Sequence, residues 1–292
     1  MQSPQITPAN TALATPHVRS ISLLQPLQWL ALGWRDMARC GWISFAHGLV
    51  LALLGWLILL LTHDRFWLLA GAFSGFLVIA PVLATSLYAL SRAVGRGEKA
   101  DFRLVLKTWL NWQSGHTNKW GNDYWALVQF GSLLALAALG WMLTSAAFVT
   151  VFTPTPVNSP IEFVQHVILA EDGFVFELWL GLGGLLAAPM FASSAVAIPL
   201  LLDRRVTLLQ AVLTSWRAVL ENPAPMAFWA FLIMAFTLLG FASLLLGLIA
   251  IMPMLGHASW HAYRDLVDVS DLPERTSNTH IPSTSVKDKA SR

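Results

Sequence analysis

The chain has 292 residues, 56% of them hydrophobic and 12% charged, with a net charge of +2. A typical soluble domain is about 25% charged, so a water-soluble globule is a poor fit, and so small a net charge gives no reason to expect nucleic acid as a partner. The one cysteine, Cys40, excludes an intrachain disulfide and a cysteine metal cluster.

Residues 1–24 begin Met1–Gln2–Ser3–Pro4 and continue in Thr, Ala and Pro. They lack the basic start and small-residue cleavage site of a signal peptide. With little to bury against their ordering entropy, they read as a disordered tail. Leu27, Leu30, Trp34 and Met37 then recur at helical spacing among Gln28, Arg35, Asp36 and Arg39, the pattern of an amphipathic helix lying in the membrane interface. Residues 43–62 are free of formal charge and long enough for a first transmembrane span. His63–Asp64–Arg65 is a polar turn, and residues 66–91 form the second span.

A basic stretch follows, carrying Arg92, Arg96, Lys99, Arg103, Lys107 and Lys119. Within it Phe102, Val105, Leu106, Trp109 and Leu110 mark a second amphipathic arm. Residues 124–149 are the third span, ended by Thr153–Pro154–Thr155–Pro156. The loop beyond it holds Glu162, His166, Glu171 and Asp172 but no lysine or arginine, and residues 174–202 are the fourth span. Leu209, Val212, Leu213, Trp216, Val219 and Leu220 form a third arm.

Met226 to Tyr263 is the hardest stretch to divide. Thirty-eight residues of helix would extend about 57 Å at 1.5 Å per residue, far beyond a hydrocarbon core of about 30 Å. Two spans over 226–241 and 243–263, turning near Gly240–Phe241–Ala242–Ser243, fit that thickness. Residues 269–292 are polar and read as a second disordered tail.

Charge orients the chain. With six spans and both termini in the cytoplasm, seventeen of the eighteen lysines and arginines fall inside and only Arg65 outside. The fourteen tryptophans, against three tyrosines, fit aromatic rings at headgroup depth. The expected fold is therefore an all-α polytopic membrane helix bundle over 25–268. It would comprise six transmembrane helices as three diverged hairpins, each preceded by an amphipathic interfacial helix. Each unit has an arm tryptophan (Trp34, Trp109 or Trp216), then Leu54–Gly55–Trp56, Leu139–Gly140–Trp141 or Leu239–Gly240–Phe241. Each closes on a span bearing Pro81, Pro189 or Pro253, which should bend its helix by freeing a carbonyl one turn earlier.

Four segments carry a family resemblance: Gly33–Trp34–Arg35–Asp36, Ala80–Pro81–Val82–Leu83, Ala188–Pro189–Met190–Phe191 and the closing His257–Ala258–Ser259–Trp260–His261–Ala262–Tyr263–Arg264–Asp265. With these the chain resembles the bacterial integral membrane proteins of domain of unknown function 2189, over roughly residues 25–268. The resemblance implies a six-helix protein of the bacterial cytoplasmic (inner) membrane and carries no activity or site residues. Some relatives are loosely likened to cytochrome oxidase subunits.

His257 and His261 stand four apart, on one helical face, at a spacing that suits a metal or a porphyrin. His47 lies at a similar expected depth, and an imidazole inside a bilayer is a functional hint by default. Hydrogen bonds to nearby hydroxyls, carbonyls or interfacial water would occupy the same nitrogens. A second candidate is an outer-face acidic set, Asp64, Glu162, His166 and Glu177, suited to a divalent cation or to plain solvation. Arg92 and Arg264, each eleven residues beyond a proline, are placed to reach lipid headgroups.

No hydrolase, kinase, zincin, P-loop or dinucleotide signature occurs. The expectation is a non-enzymatic inner-membrane protein without a cofactor, binding or organising lipid or membrane-protein partners, among them further copies of itself, at the cytoplasmic face. The alternatives are a small-molecule or ion transporter, and a haem- or metal-binding accessory of a respiratory membrane complex.

Overall fold

A computed structural model describes residues 16–62, 65–110, 125–170 and 174–274, with the side chains of residues 74, 77–81, 125 and 126 outside the description. Its elements in chain order are α1 (Gln25–Cys40), α2 (Trp42–Thr62), α3 (Phe66–Leu83), α4 (Thr85–Gly95), α5 (Phe102–Leu110) and α6 (Trp125–Phe152). There follow α7 (Pro160–Phe163, continued by a π-helical turn over Val164–Ile168), α8 (Val175–Ser194), α9 (Ala197–Asp203), α10 (Leu208–Glu221), α11 (Pro223–Ala242) and α12 (Leu248–Leu266). The only β pairing among the described residues is two isolated bridges, Val18 to Val267 and Arg204 to Glu274.

Among the described residues four stretches are long and apolar enough to cross a membrane: Trp42–Thr62, Leu127–Phe152, Val175–Asp203 and Pro223–Ala242. They are built inside out relative to a soluble core. In α2 the buried positions include Ser44, Gly48, Ala52 and Gly55, whereas Leu53, Leu57, Leu60 and Leu61 are exposed. Leucine facing hydrocarbon costs nothing, so helices in a membrane associate through small side chains that let backbones approach.

Helix α12 is the hub, packed against α1, α2, α4, α9 and α11. Three glycines let its neighbours in. A Cβ at Gly33 of α1 would lie 2.7 Å from both the Ala258 nitrogen and the Met254 oxygen. At Gly48 of α2 a Cβ would overlap the Ile249 carbonyl. That carbonyl is four residues before Pro253, whose missing N–H leaves it without its helical donor. At Gly256 of α12 itself, a Cβ would meet Leu87 of α4 at 2.6 Å. Gly71 plays the same part between α3 and α6, facing Met142, while Gly75 and Gly184 face open space.

The arm α1 turns a different face inward from the one its leucines suggest. Pro26, Trp29, Gly33, Asp36, Met37 and Cys40 are buried, and Leu27 and Trp34 of the expected stripe are exposed. The protein-facing side sets Gly33 against the backbone of α12 and buries Asp36 between Trp29 and Met37 along the helix, while Leu27 and Trp34 stay outside.

Helix interruptions fall at Ala84, between α3 and α4, and at Ala195–Val196, between α8 and α9. Pro189 and Pro253 lie within helices that continue past them, and Pro81 lies within α3. The second interruption belongs to Pro199, which can neither bond the Ala195 carbonyl nor fit its ring beside it. The Val196 N–H that a continuous helix would use donates instead to Ser215 Oγ at 3.0 Å. The α11–α12 reversal occupies 243–247, just beyond the expected turn, with Leu244 and Leu245 at φ 55° and 68°. Left-handed backbone costs a leucine about 1–2 kcal/mol. Leu245 is buried, with its Cδ1 2.9 Å from where a Gly55 Cβ would stand.

Residues 16–24 and 269–274, expected to lie in the tails, pack on the helices. Arg19 N–H donates to the Leu266 carbonyl at 2.8 Å and Asp268 N–H to that of His17 at 2.9 Å. Val18 and Val269 are buried in the core. The polar stretches beyond them hid this order, because a few hydrophobes, Val18, Ile21, Val269 and Leu272, pack on the core and backbone pairing holds the rest.

Gly48→Ala should destabilise the protein by about 1–3 kcal/mol, the usual range for overpacking. Gly140→Ala, at an exposed position with nothing near its Cβ, should be neutral or stabilising by up to about 1 kcal/mol. Unfolding of the detergent-purified variants measures both, and equal destabilisation of the two would refute the close-approach argument.

Candidate functional site

Where α1, α2, α4 and α12 meet, five polar side chains form one chain of hydrogen bonds. Asp36 and His257 are buried, at 2% and 0% exposure. Asp36 Oδ2 accepts from Ser91 Oγ at 2.9 Å and pairs with His261 Nε2 at 2.8 Å. Ser91 Oγ also lies 2.7 Å from His257 Nδ1, and Ser44 Oγ lies 2.9 Å from His257 Nε2.

The carboxylate sets the direction of every proton. Ser91 gives its hydrogen to Asp36, so its oxygen accepts from His257 Nδ1–H. The neutral imidazole then offers Nε2 as acceptor to the Ser44 hydroxyl. Burial pushes the Asp36 carboxyl up, but the hydrogen bonds from His261 and Ser91 outweigh it and hold its pKa below the usual range. At neutral pH Asp36 is therefore an ionised acceptor. The arrangement can hold a histidine rigidly in one tautomer, linking the amphipathic arm to three deeper helices.

The second buried carboxylate is solved differently. Asp203, at the end of α9, is 1% exposed. Tyr263 OH donates to its Oδ2 at 2.8 Å and Arg204 Nε at 3.1 Å. Arg92 and Arg96 approach Oδ1 at 3.6 and 3.9 Å, and Arg264 approaches Oδ2 at 3.9 Å. Glu274, in the segment after α12, joins at 3.1 Å from Arg96 and 3.3 Å from Arg204. The ends of α4, α9 and α12 and the C-terminal segment thus meet at one point. A third carboxylate, Asp265, accepts from Gln25 Nε2 at 2.8 Å and Trp29 Nε1 at 2.7 Å, closing α1 onto α12.

Of the histidines singled out in the sequence, His257 and His261 share the Asp36 network. His47 stands apart, with Nδ1 donating to the Ile43 carbonyl at 2.7 Å and Nε2 accepting from Ser86 at 2.8 Å. Both ring nitrogens of His47 and of His257 therefore have protein partners. Arg92 and Arg264, expected at headgroups, both reach Asp203; Arg92 is the more enclosed, with 20% of its side chain exposed against 48%.

Of the outer-face acidic set, the described members Glu162, His166 and Glu177 do not come together as a group that could hold a metal ion. Asp64 lies outside the described residues. Glu162 accepts from the Asn158 N–H at 2.8 Å, and its own N–H donates to Ser159 Oγ at 3.2 Å, which makes it part of the α7 cap. The Asn158 bond, chiefly, holds its pKa low. His166 pairs with Thr155 Oγ1 at 3.0 Å, and Glu177 occupies the first turn of α8, where a negative charge suits the helix dipole. No group of three or more metal-capable side chains occurs among the described residues.

Sequence reasoning missed Ser44, Ser86 and Ser91 as histidine partners and Asp203 as a centre. The available signal was acidic: Asp36 and Asp203 are carboxylates beside apolar runs in segments otherwise rich in arginine.

Asp36→Asn should alter the acid response. A carboxylate whose folded pKa is depressed adds stability above the ordinary range near 4, lost as pH falls through the folded value. The unaltered protein should therefore weaken between about pH 5 and 2, and the variant should show a flatter profile; identical profiles would remove Asp36 from the network. Asp203→Asn leaves arginines facing a neutral group, and breaking a buried ion pair costs about 3–5 kcal/mol. A variant that unfolds within 1 kcal/mol or so of the parent would contradict that assignment.

The family model described as predicted integral membrane protein (DUF2189) matches residues 68–203. No curated protein matches the chain, and no solved structure does. The matched segment contains Ala80–Leu83 and Ala188–Phe191, while the arm and closing helix stand outside it. Over those residues the resemblance read from the sequence is borne out, and with its long apolar helices the chain is an integral membrane protein.

Proposed function

We propose that this is a non-enzymatic, six-span protein of the bacterial cytoplasmic membrane that binds and organises anionic lipid at its cytoplasmic face. The observation carrying the reading is the convergence at Asp203. Residues 96, 204 and 264 follow the three expected hairpins in turn, and their side chains all lie within 4.0 Å of one carboxylate. Three successive returns to one face support three hairpins. The pairing of residues 17–19 with 266–268 supports termini on the same side, and so an even number of crossings.

That face is also the basic one. Four arginines around Asp203 and Glu274 leave positive charge over, and the exposed Arg35, Arg39, Arg103 and Lys107 add to it. Each basic residue near an anionic leaflet contributes about 1 kcal/mol. The histidines support this reading over a haem or metal accessory, since a ligand role at His47 or His257 would first have to break a hydrogen bond.

Mass spectrometry of protein extracted in mild detergent should find anionic phospholipid retained above its share in the source membrane, with retention falling as salt is raised. Retained lipid that mirrors the membrane's composition and ignores ionic strength would overturn the reading.

A further inference from the structure

An apolar cavity of about 310 Å3 lies between α2, the end of α3, α4, α5 and α12, lined among others by Trp42, Ala46, Val50, Leu54, Leu87 and Val105. This is at the lower edge of the roughly 300–1,000 Å3 range of ligand cavities. Its α2 wall runs from Trp42 to Leu54, about 18 Å at helical rise, so the space is long for its volume. It lies apart from the polar network, and His47, the one ionisable residue lining it, is engaged by Ile43 and Ser86.

Trp42, Val50, Leu54 and Phe102 on its lining are exposed. In a membrane protein, such a rim opens toward hydrocarbon. At its interfacial end Trp42 and Phe102 stack at 6.4 Å and 22°. Exposed arginines flank that pair in the chain: Arg39, at the end of α1, and Arg103, next to Phe102 in α5. The arginines around Asp203, by contrast, are tied to that carboxylate. An elongated apolar slot with an aromatic lip, and exposed cations next to that lip in the chain, matches the polarity profile of a phospholipid, with an acyl chain in the slot and the glycerol phosphate at its mouth.

We propose that this cavity holds one acyl chain of an anionic phospholipid whose phosphate sits against Arg39 and Arg103. This rests on the lipid-binding reading above and makes it site-specific, where that reading requires only a basic face.

The test uses the full chain in bilayers of phosphatidylcholine containing a small fraction of phospholipid with a photoactivatable acyl chain, carrying either a glycerol or a choline headgroup. Cross-links are mapped by peptide mass spectrometry. Labelling should concentrate on the α2 and α4 walls and favour the anionic probe by about 25-fold, at about fivefold for each of two cations. Arg39→Gln with Arg103→Gln should remove the preference, and Ala46→Trp should fill the cavity and abolish the wall labelling. Val50→Trp, at the exposed rim, serves if Ala46→Trp does not fold.

Equal labelling of the exposed leucines of α6 and α11, or wall labelling without headgroup preference, would each overturn the proposal. If anionic lipid is still retained while the walls are unlabelled, only this site fails. If no anionic preference survives anywhere, the broader reading fails as well.

Discussion

The structure depends on how closely other backbones approach α12. In a bilayer no hydrophobic gain drives one leucine-covered helix onto another, so contact has to come from shape. Gly33, Gly48 and Gly256 supply it, each where a single methyl group would collide with backbone or with a packed leucine. The approach at Gly48 falls on the carbonyl that Pro253 leaves unbonded. A proline that looks like a hinge in the sequence thus marks a seam, where one helix loses an internal bond and its neighbour comes into contact.

Close backbones bring polar side chains with them, and two carboxylates are buried as a result. Taking a charge out of water costs several kcal/mol even after relaxation. Asp36 is compensated by a hydroxyl and an imidazole, and Asp203 by a tyrosine and arginines. The first solution is directional, because each donor must point one way along the chain to Ser44. The second is mainly coulombic and tolerates longer separations, since three of its arginines stand at 3.6–3.9 Å. The polar end of the bundle is therefore held by geometry on one side and by charge on the other.

Much of the helical pattern was legible in the sequence, because hydrocarbon imposes long uncharged runs and charge marks their ends. α2, α6 and α11 lie close to where composition puts them. What the sequence concealed was partnership. His257 is satisfied by Ser44 and Ser91, separated from it by 213 and 166 positions, and serine gives no local hint of such a duty. The register of α1 misled because leucines draw attention to the lipid side, whereas the protein side is marked by Gly33 and Asp36. Pro189 drew the eye in α8, yet the interruption belongs to Pro199, where the freed Val196 N–H has a serine to receive it. The cavity beside α5 was invisible for the same reason, since its walls come from five helices that no sequence window contains.

The position of the hub as the last helix among the described residues has a consequence for how the protein is made. Helix α1 is complete at Cys40, and its main partner only at Leu266. At about 5–20 residues per second, Asp36 waits on the order of 10–50 s for His261 to exist. Throughout that interval one of the two donors that compensate the burial of Asp36 does not exist, so its carboxylate has to stay in water. A ribosome that stops short of α12 releases a polypeptide whose most polar seam has nothing to close it, and quality-control proteases could recognise that open seam.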